Sequence, residues 1–420
     1  MKKVTAEIIT IGDEILYGQI LDTNAQWMST ALNDIGVRTI RRTTIGDNEQ
    51  DILTALAEAE ARVDIILITG GLGPTKDDLT KPCLAKYFGC EMELHESALA
   101  DVISVFESKG RELTEINRQQ AVLPIACQKV TNAIGSAPGM WFEREEVVFV
   151  SMPGVPYEMK MMMSDQVIPK LQETFEMPVI FHKLIKTIGI GESWLAEIIE
   201  DWEDHLPENI GLAYLPSLGQ VKLRLTAVGD SQEELERQVE EQIEAVRPLI
   251  SQYIYGYNKD TIESTTGGDL VKNGLTIATA ESCSGGYLAH MITSVPGSSA
   301  YFIGSVISYH NDIKINELGV PEQIIKEHGA VSEETVKEMA MSIRRKFGTD
   351  IGLATSGVAG PGGGTTEKPV GTVWIAYADG EHCIAKKLLL GTQRALNIQL
   401  SALHSLNLLR QQLITQVNLK

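Results

Sequence analysis

A serine-rich turn near residue 280 carries the side chains best suited to nucleophilic chemistry. The segment Thr279–Gly286 reads Thr-Ala-Glu-Ser-Cys-Ser-Gly-Gly and lies between a predicted strand and a predicted helix. Backbone N–H groups and a helix N-terminus at such a turn can hold a developing oxyanion. Serine alone is a poor nucleophile, and no Ser-x-x-Lys motif supplies a base. Tyr309 and Lys314 are therefore the candidate bases, since burial can lower the pKa of a lysine far enough for that role.

The serines and the nearby glycines also have structural interpretations. Ser282 and Ser284 can simply cap the helix that they precede. The glycine run Ser356–Gly364, followed by Lys368–Thr372, is either a loop that lets the backbone approach a ligand phosphate or a flexible hairpin tip. The residue types alone leave both interpretations open.

A second set of candidate residues lies near the N-terminus. The segment Gly12–Glu14 follows one predicted strand, and the glycine-rich segment Thr69–Thr80 follows another. Since ligands bind at the carboxyl edge of such sheets, Glu14, Asp77 and Asp78 could act there as oxygen ligands for Mg²⁺. The glycine N–H groups would receive the phosphate of a nucleotide or a pterin. The alternative is that the two aspartates cap the next helix and the glycines only form turns.

Several common catalytic motifs are absent from the sequence. No Gly-Lys-Ser/Thr follows the first glycine-rich segment, and Gly189–Gly191 lacks the third glycine of a dinucleotide fingerprint. No HExxH or GxSxG motif occurs. The five cysteines are scattered without a CxxC pair, so we predict reduced thiols rather than a zinc or redox centre.

Composition narrows the classes of partner. The chain of 420 residues has 36 Lys plus Arg and 56 Asp plus Glu, a net charge of −20, which repels nucleic acids and anionic membranes. The N-terminus lacks the apolar segment and cleavage site of a secretory signal, and no run of about 18 apolar residues occurs. We therefore predict a cytoplasmic protein with no nucleic-acid and no membrane partner.

Three successive patterns of strands and helices must position these residues. Residues 1–175 alternate apolar strands with amphipathic helices, which predicts a mostly parallel sheet covered on both faces. Residues 176–257 read strand, helix, strand, strand, helix, a small α+β unit in which residues 181–256 carry a net charge of −8. Residues 258–420 repeat an α/β pattern that places both C-terminal motifs after strands. The sequence thus predicts an α/β protein of three domains with these boundaries.

Separated motifs make the chain resemble the competence/damage-inducible CinA family over essentially its whole length. Thr69–Thr80 and Met152–Met159 resemble the family's N-terminal domain, which is similar to the molybdopterin-binding MoaB/MogA proteins. Ala280–Gly286, Ser356–Gly364 and Lys368–Thr372 resemble its C-terminal domain, which is shared with the nicotinamide mononucleotide amidohydrolase PncC. The resemblance implies a three-layer MoaB/MogA-like domain, a small KH-like α+β domain and a CinA/PncC-like α/β domain.

The resemblance implies two hydrolytic activities of pyridine nucleotide recycling. The C-terminal domain would deamidate nicotinamide mononucleotide to nicotinate mononucleotide and ammonia without a cofactor. The N-terminal domain would hydrolyse ADP-ribose to AMP and ribose 5-phosphate with a divalent metal such as Mg²⁺, and K⁺ is a further candidate cation. By the same resemblance, the assembly would be a homodimer.

The residues carried over from the family fall into three groups. The catalytic candidates are Ser282 as nucleophile, Lys314 as its base and Tyr309, which shapes the pocket. The substrate-binding candidates of the C-terminal domain are Glu281, Cys283, Ser284, Gly285, Gly286, Gly357, Gly360, Gly362 and Gly363. The N-terminal candidates are Asp13, Asn24, Gly71 and Gly73 on the ligand side and Glu14, Asp77 and Asp78 on the metal side.

Three departures from the family pattern qualify these expectations. Ser284 replaces the usual threonine and keeps its hydroxyl, whereas the arginine of Gly391–Arg394 is displaced by one residue, so no phosphate-binding role is assigned to Arg394. The middle unit has no GxxG loop and is acidic, so RNA binding does not follow and a spacer or dimer element is expected.

Two other functions stay open: an N-terminal domain that binds a pterin or nucleotide without hydrolysing it, and an interaction protein in DNA uptake or recombination.

Overall fold

The structure, a computed structural model, describes residues 4–75, 77–108 and 110–418. Lys76, which belongs to the first glycine-rich motif, lies outside the described residues. The chain divides into two compact units, Met1–Phe181 with Val228–Leu235 and His182–Ala227 with Glu236–Lys420. The middle segment of the sequence therefore belongs mostly to the second unit.

The first unit is built on a six-stranded sheet. Its strands and those of a separate pair are β1 (Thr5–Ile11), β2 (Arg38–Ile45), β3 (Ile65–Thr69), β4 (Met92–Leu94), β5 (Val122–Pro124), β6 (Gln128–Val130), β7 (Gly139–Arg144) and β8 (Val147–Met152). The sheet order is β2-β1-β3-β8-β7-β6, with β2, β1, β3 and β8 parallel and the hairpin of β7 and β8 antiparallel. Strands β4 and β5 pair separately. The predicted, mostly parallel sheet is confirmed.

Helices cover both faces of this sheet. They are α1 (Asp13–Leu16), α2 (Thr23–Asp34), α3 (Glu49–Glu60), α4 (Thr80–Phe88), α5 (Glu96–Ser108), α6 (Glu115–Arg118), α7 (Pro156–Met162) and α8 (Ile168–Thr174). Alternate strand residues point to opposite faces: Ile9 and Ile68 enter one buried cluster, whereas Ile8 and Leu67 enter the other. The three-layer arrangement follows from this alternation, because each face must be covered.

The second unit contains two sheets. The strands of the remaining chain are β9 (Val179–Ile188), β10 (Ile210–Ser217), β11 (Gln220–Gly229), β12 (Ile254–Tyr257), β13 (Ile277–Glu281), β14 (Phe302–Ile307), β15 (Ile351–Gly357), β16 (Thr372–Ala378) and β17 (Cys383–Leu389). The first sheet has the order β10-β11-β9-β12. The second has the order β14-β13-β15-β16-β17, in which β13 runs parallel to both neighbours and β16 and β17 are antiparallel.

Helices on both faces bury the second sheet between two layers. The helices of the remaining chain as a whole are α9 (Glu192–Asp204), α10 (Gln232–Ile250), α11 (Ile262–Asn273), α12 (Tyr287–Thr293), α13 (Asn311–Asn316), α14 (Glu322–His328), α15 (Glu333–Phe347) and α16 (Arg394–Asn418). Ala278 and Ala354 pack with Met339 of α15 on one face, and Ile277 and Leu353 share the opposite cluster with residues of α16. Within the described residues, no helix is both long and apolar enough to cross a membrane.

Candidate active sites

The C-terminal candidate site lies at the carboxyl edge of the five-stranded sheet. Because β13 pairs in parallel with both β14 and β15, the loops that follow these strands leave the sheet on the same side. Ser282 follows β13 directly, and the glycine loop Gly357–Gly364 begins at the last residue of β15. The Ser282 N–H donates to the Thr355 carbonyl at 2.9 Å, which joins the serine turn to β15. The sheet therefore brings the two C-terminal motifs together.

Ser282 and Lys314 are in direct contact. Lys314 lies on the short helix α13, and its Nζ donates to Ser282 Oγ at 3.2 Å. The same Nζ donates to the carbonyl oxygens of Ser308, at 2.7 Å, and Tyr309, at 3.4 Å. These two carbonyls hold the amine beside the serine hydroxyl. A nucleophile and its base require this contact.

The surroundings of Lys314 favour its neutral form. Its side chain is almost fully buried, at 1% exposure, and burial lowers its pKa from 10.5 to about 8. A lysine in this environment is partly deprotonated near neutral pH, which an exposed lysine is not. Ser282 is 9% exposed, so it lies just below the protein surface. The pair can therefore act as a weak base and a nucleophile.

Glu281 is expected to bind substrate, but its carboxylate is buried and binds backbone N–H groups instead. The residue is fully buried, and its carboxylate accepts the N–H groups of Gly286 at 2.9 Å, Leu288 at 3.1 Å and Ala289 at 2.8 Å. The carboxylate thus occupies the N-terminus of α12, the position at which the sequence predicts oxyanion binding. This expectation is corrected: Glu281 fixes the serine turn and uses the helix N–H groups that an oxyanion would need.

Cys283 and Ser284 also point into the protein. Cys283 is 5% exposed and belongs to a buried apolar cluster, with its Sγ 4.0 Å from Ser401 Oγ, and burial raises its pKa to about 11. Ser284 is 2% exposed, donates to Glu281 at 2.7 Å and lies 2.6 Å from the Thr355 hydroxyl. Neither side chain is placed to contact a ligand, because its polar atom is directed at a buried neighbour. Both stabilise the turn instead.

Tyr309 lies at the open side of the site and is held by an arginine. Its ring is 59% exposed, and its hydroxyl accepts a hydrogen bond from Arg394 at 2.7 Å. Arg394 also donates to the Gly360 carbonyl at 2.8 Å. The guanidinium therefore links the loop after β14 to the glycine loop. The family pattern assigns Arg394 no role, but these two contacts add Arg394 to the site.

The glycine loops keep their backbones close to their neighbours. Gly360 has φ +89°, and a Cβ there would lie 2.5 Å from Val370 Cγ1, so no other residue fits without movement. Gly285, Gly286 and Gly363 also have positive φ, and a Cβ at Gly357 would contact Val373. A Cβ at Gly362 would meet nothing within 4 Å, so the loop is open at that residue.

The N-terminal candidate site is a cleft of about 470 Å³ at the carboxyl edge of the six-stranded sheet. Loops after the parallel strands β1, β3 and β8 line it, together with the start of α2. Of the predicted residues, Glu14, Asn24, Gly71, Gly73, Asp77 and Asp78 all line this cleft. The predicted convergence of these residues is therefore observed.

Acidic side chains are concentrated at the mouth of this cleft. Asp47, which follows β2, accepts the backbone N–H of Asp13 at 3.3 Å. Burial raises the pKa of Asp47, and the carboxylates of Asp13, Glu14 and Asp77 raise it further, against the lowering effect of that hydrogen bond. Glu14, Asp47 and Asp77 line one cleft, so their carboxylates lie near one another. Such hard oxygen donors suit a divalent cation such as Mg²⁺.

Asn24 lines the same cleft and has a buried side-chain oxygen without a partner among the described residues. Its Nδ2 donates to Thr69 Oγ1 at 3.2 Å and to the Gly154 carbonyl at 2.7 Å, which fixes the side chain. Its Oδ1 is buried and has no hydrogen-bond partner within the described residues. Because an unsatisfied buried acceptor costs about 1–3 kcal/mol, this oxygen is suited to meet a cation or a ligand donor. Asn24 therefore fits the ligand-side role expected from the sequence.

Asp78 and Gly73 depart from their expected roles. The Asp78 carboxylate accepts the N–H of Gly73 at 2.8 Å, the N–H of Thr75 at 2.9 Å and the Thr75 hydroxyl. It neither caps α4 nor keeps its oxygens open for a metal, because the loop uses them. The Gly73 N–H is likewise unavailable for a phosphate. Gly71 is required for a different reason, since at φ +62° a Cβ would lie 2.2 Å from Thr80 Oγ1.

Sequence reasoning missed two residues of these sites. Asp47 stands two residues after β2, so the rule that brought Glu14 and Asp77 together would also have found it. Arg394 is the displaced arginine of the family pattern and was given no role, because its contacts with Tyr309 and the glycine loop depend on how α16 packs. Among the residues that the structure describes, no three acidic, histidine or cysteine side chains form a preassembled metal-binding group.

Family profiles match three consecutive parts of the chain. The profile described as "Probable molybdopterin binding domain" matches residues 7–173, "Damage-inducible protein CinA KH domain" matches residues 182–256, and "CinA C-terminal domain" matches residues 259–413. The expected MoaB/MogA-like, KH-like and CinA C-terminal domains are thereby confirmed.

Relatives match over almost the full length. A CinA-like protein from Cytophaga hutchinsonii is 52% identical over 410 residues, which cover 98% of each chain. One from Flavobacterium psychrophilum is 44% identical over 391 residues, covering 93% of this chain and 94% of the relative. The crystal structure described as "the protein CinA with unknown function from Thermoplasma acidophilum" is 30% identical, covers 41% of this chain and 98% of that chain, and has a TM-score of 0.37. The three matched domains and these full-length relatives place the chain in the CinA family.

Proposed function

We propose that the C-terminal site is a serine amidohydrolase that converts nicotinamide mononucleotide to nicotinate mononucleotide and ammonia. The observation that carries this proposal is the 3.2 Å contact between the buried Lys314 Nζ and Ser282 Oγ. The substrate comes from the resemblance to the PncC amidohydrolases. The open glycine loop and Arg394 supply a place for its phosphate at the exposed side of the site.

The reaction would proceed through an acyl-enzyme. Neutral Lys314 accepts the Ser282 proton as Oγ attacks the carboxamide carbon, and the carbonyl electrons move to oxygen. The C–N bond then breaks, and the leaving nitrogen takes the proton from the Lys314 ammonium and departs as ammonia. Water next adds to the ester carbon while Lys314 accepts its proton, and the Ser282–carbon bond breaks to release the acid. The serine is regenerated with the proton that Lys314 returns.

The oxyanion of this reaction needs donors other than the first turn of α12. Glu281 already accepts the N–H groups at that turn. We assign this role to the backbone N–H groups of Cys283 and Ser284, which follow Ser282 in the turn. The Glu281 carboxylate fixes the turn from its buried side, because it also accepts a hydrogen bond from the Ser284 hydroxyl.

Ammonia release from nicotinamide mononucleotide in the presence of a chelator tests the proposal. The purified wild-type chain should release ammonia, and Ser282→Ala and Lys314→Ala should not. Circular dichroism and thermal unfolding of both variants establish that they are folded. Release that survives Ser282→Ala, or a wild-type chain that is folded but inactive, contradicts the proposed reaction.

We propose that the N-terminal cleft hydrolyses ADP-ribose to AMP and ribose 5-phosphate with a divalent cation. Glu14, Asp47 and Asp77 would hold the cation, with the unpaired Oδ1 of Asn24 as a further oxygen donor. When bound, the cation neutralises charge on the pyrophosphate that would otherwise be repelled by this acidic cleft. Phosphate release from the products by added phosphatase, measured with Mg²⁺ and with chelator, tests this activity.

A binding function for the same cleft is the second candidate. The match to the molybdopterin-binding profile over residues 7–173 favours it. Calorimetry with molybdopterin and with ADP-ribose separates the two functions. Tight pterin binding without turnover of ADP-ribose at any metal concentration supports the binding module, whereas metal-dependent turnover supports the hydrolase.

A further inference from the structure

A second cleft lies behind the glycine-rich loop of the first unit. It has a volume of about 370 Å³ and is bounded by Gly73–Thr75 on one side and by Lys81 of α4 on another. Met92 and Ile116 give it an apolar wall. Gln120 lines both this cleft and the acidic cleft described above, so the two clefts are adjacent. We refer to it as the Lys81 cleft.

Lys81 is a buried cation with few partners. The residue is 8% exposed, and its Nζ donates to the Gln120 carbonyl at 3.1 Å. An ammonium group has three donors, and a buried charge is costly unless it is paired. Asp78 lies near enough to attract it, but the Asp78 oxygens already accept from Gly73 and Thr75. The charge of Lys81 is therefore incompletely balanced by the described residues.

Gln120 supplies a second unsatisfied group at the same place. Its side chain is 3% exposed, and its Oε1 is buried with no hydrogen-bond partner within the described part of the chain. A buried amide oxygen without a donor destabilises the structure, because its hydrogen bond to water is lost and not replaced. A ligand that brings a hydroxyl or N–H group to this oxygen would remove that cost. Lys81 and Gln120 together would therefore suit a ligand that carries both an anionic group and a hydrogen-bond donor.

The neighbouring loop cannot supply this anion site by itself. The N–H groups of Gly73 and Thr75 are taken by Asp78, so the loop does not present them to a phosphate. The acidic cleft on the other side of Gln120 repels anions through Glu14, Asp47 and Asp77. Lys81 is the buried cation that borders this region among the described residues. An anionic group would therefore be directed towards the Lys81 cleft.

We propose that the Lys81 cleft is a phosphate subsite, in which Lys81 holds the phosphate of a phosphorylated sugar and Gln120 accepts a hydrogen bond from a sugar hydroxyl. A sugar phosphate carries both complementary groups, whereas inorganic phosphate carries only the first. Binding of a sugar phosphate here does not require the protein to hydrolyse anything. The further statement that this subsite holds the ribose 5-phosphate half of ADP-ribose rests on the proposed function.

Calorimetry with the full chain and three probes tests this subsite. Ribose 5-phosphate should bind, inorganic phosphate more weakly, and ribose weakest of all, in metal-free buffer. Lys81→Met, which keeps the length of the side chain without its charge, should weaken ribose 5-phosphate binding by about tenfold or more, and Lys81→Arg should restore part of it. Gln120→Leu should weaken ribose 5-phosphate but leave inorganic phosphate unchanged.

Lys86 provides the matched control. It lies on the same helix α4, is exposed, and pairs with Glu49 outside the cleft. Lys86→Met should bind all three probes as the wild type does. Equal loss in Lys86→Met and Lys81→Met, or unchanged binding by a folded Lys81→Met, overturns the proposal. If ribose 5-phosphate binds through Lys81 but ADP-ribose is not hydrolysed, the proposed function fails and the subsite stands; turnover without Lys81-dependent binding gives the opposite result.

Discussion

The amidase rate should rise with pH because Lys314 must be neutral to accept the serine proton. Burial lowers the pKa of Lys314 to about 8, below the 10.5 of an ordinary lysine. Below this pKa the protonated form dominates and cannot act as a base, and above it the neutral form dominates. About one-tenth of the lysine is neutral at pH 7 and about nine-tenths at pH 9, so kcat/KM should increase about tenfold across this range.

Neither the thiol beside Ser282 nor the substrate phosphate titrates in the same range. Burial raises the pKa of Cys283, the neighbour of Ser282, to about 11, which lies above pH 9. The second ionisation of a phosphate monoester has a pKa of about 6, so the substrate keeps one charge state from pH 7 to pH 9. A change in kcat/KM between these limits therefore reports on the free enzyme, and Lys314 is its expected source.

The assay is ammonia release at low substrate concentration in buffers from pH 7 to pH 9, with protein folding checked at each pH. Lys314→Arg should be inactive throughout, because a guanidinium stays protonated over this range. A flat profile for the wild type, while Ser282→Ala is inactive, would refute the assignment of Lys314 as the base. Activity in Lys314→Arg would refute it as well.

Three further changes have expected outcomes that the geometry sets. Glu281→Gln should lower the free energy of unfolding of the second unit by about 2–3 kcal/mol, since its buried carboxylate loses charge-assisted bonds; chemical denaturation measures this, and an unchanged midpoint contradicts it. Arg394→Ala should raise KM for nicotinamide mononucleotide by about tenfold with a smaller change in kcat, because Tyr309 and the glycine loop lose their link. Steady-state kinetics measures both constants, and a large fall in kcat with little change in KM would instead place the arginine in the chemical step. Asp47→Asn should weaken Mn²⁺ binding by about tenfold, measured by electron paramagnetic resonance, while the exposed Asp165→Asn should not; equal affinities would remove Asp47 from the cation site.

Much of the architecture is encoded locally and could be predicted. The alternation of apolar strands and amphipathic helices in residues 1–175 predicts a mostly parallel sheet with two covered faces, since each face has its own set of inward residues. The predicted order strand, helix, strand, strand, helix in residues 176–257 is observed, and a further strand, β12, follows it. Strand β17 was not predicted, because it is an edge strand with Lys386 and Lys387 exposed and shows little alternation.

The convergence of the candidate site residues at the carboxyl edge of each sheet could also be predicted. Parallel strands direct their carboxyl ends to one edge, so motifs that follow β13 and β15, or β1 and β3, must converge. The requirement that a serine nucleophile has a base left Tyr309 and Lys314 as candidates, and the family resemblance selected Lys314. The family resemblance then supplied what spacing could not, the chemical identity of the substrates.

The sequence by itself determined the layered α/β units, the loops that carry the sites and the residue types available there. Only the tertiary structure decided which way those side chains point. Glu281 turns inward to the start of α12, Asp78 closes its own loop, and Arg394 reaches Tyr309 across 85 positions of sequence. The contacts of Glu281 and Asp78 span eight residues or fewer and depend on the exact conformation of their turns, which residue types alone do not fix. The contact of Arg394 depends on the packing of segments far apart in the chain, which no local pattern encodes.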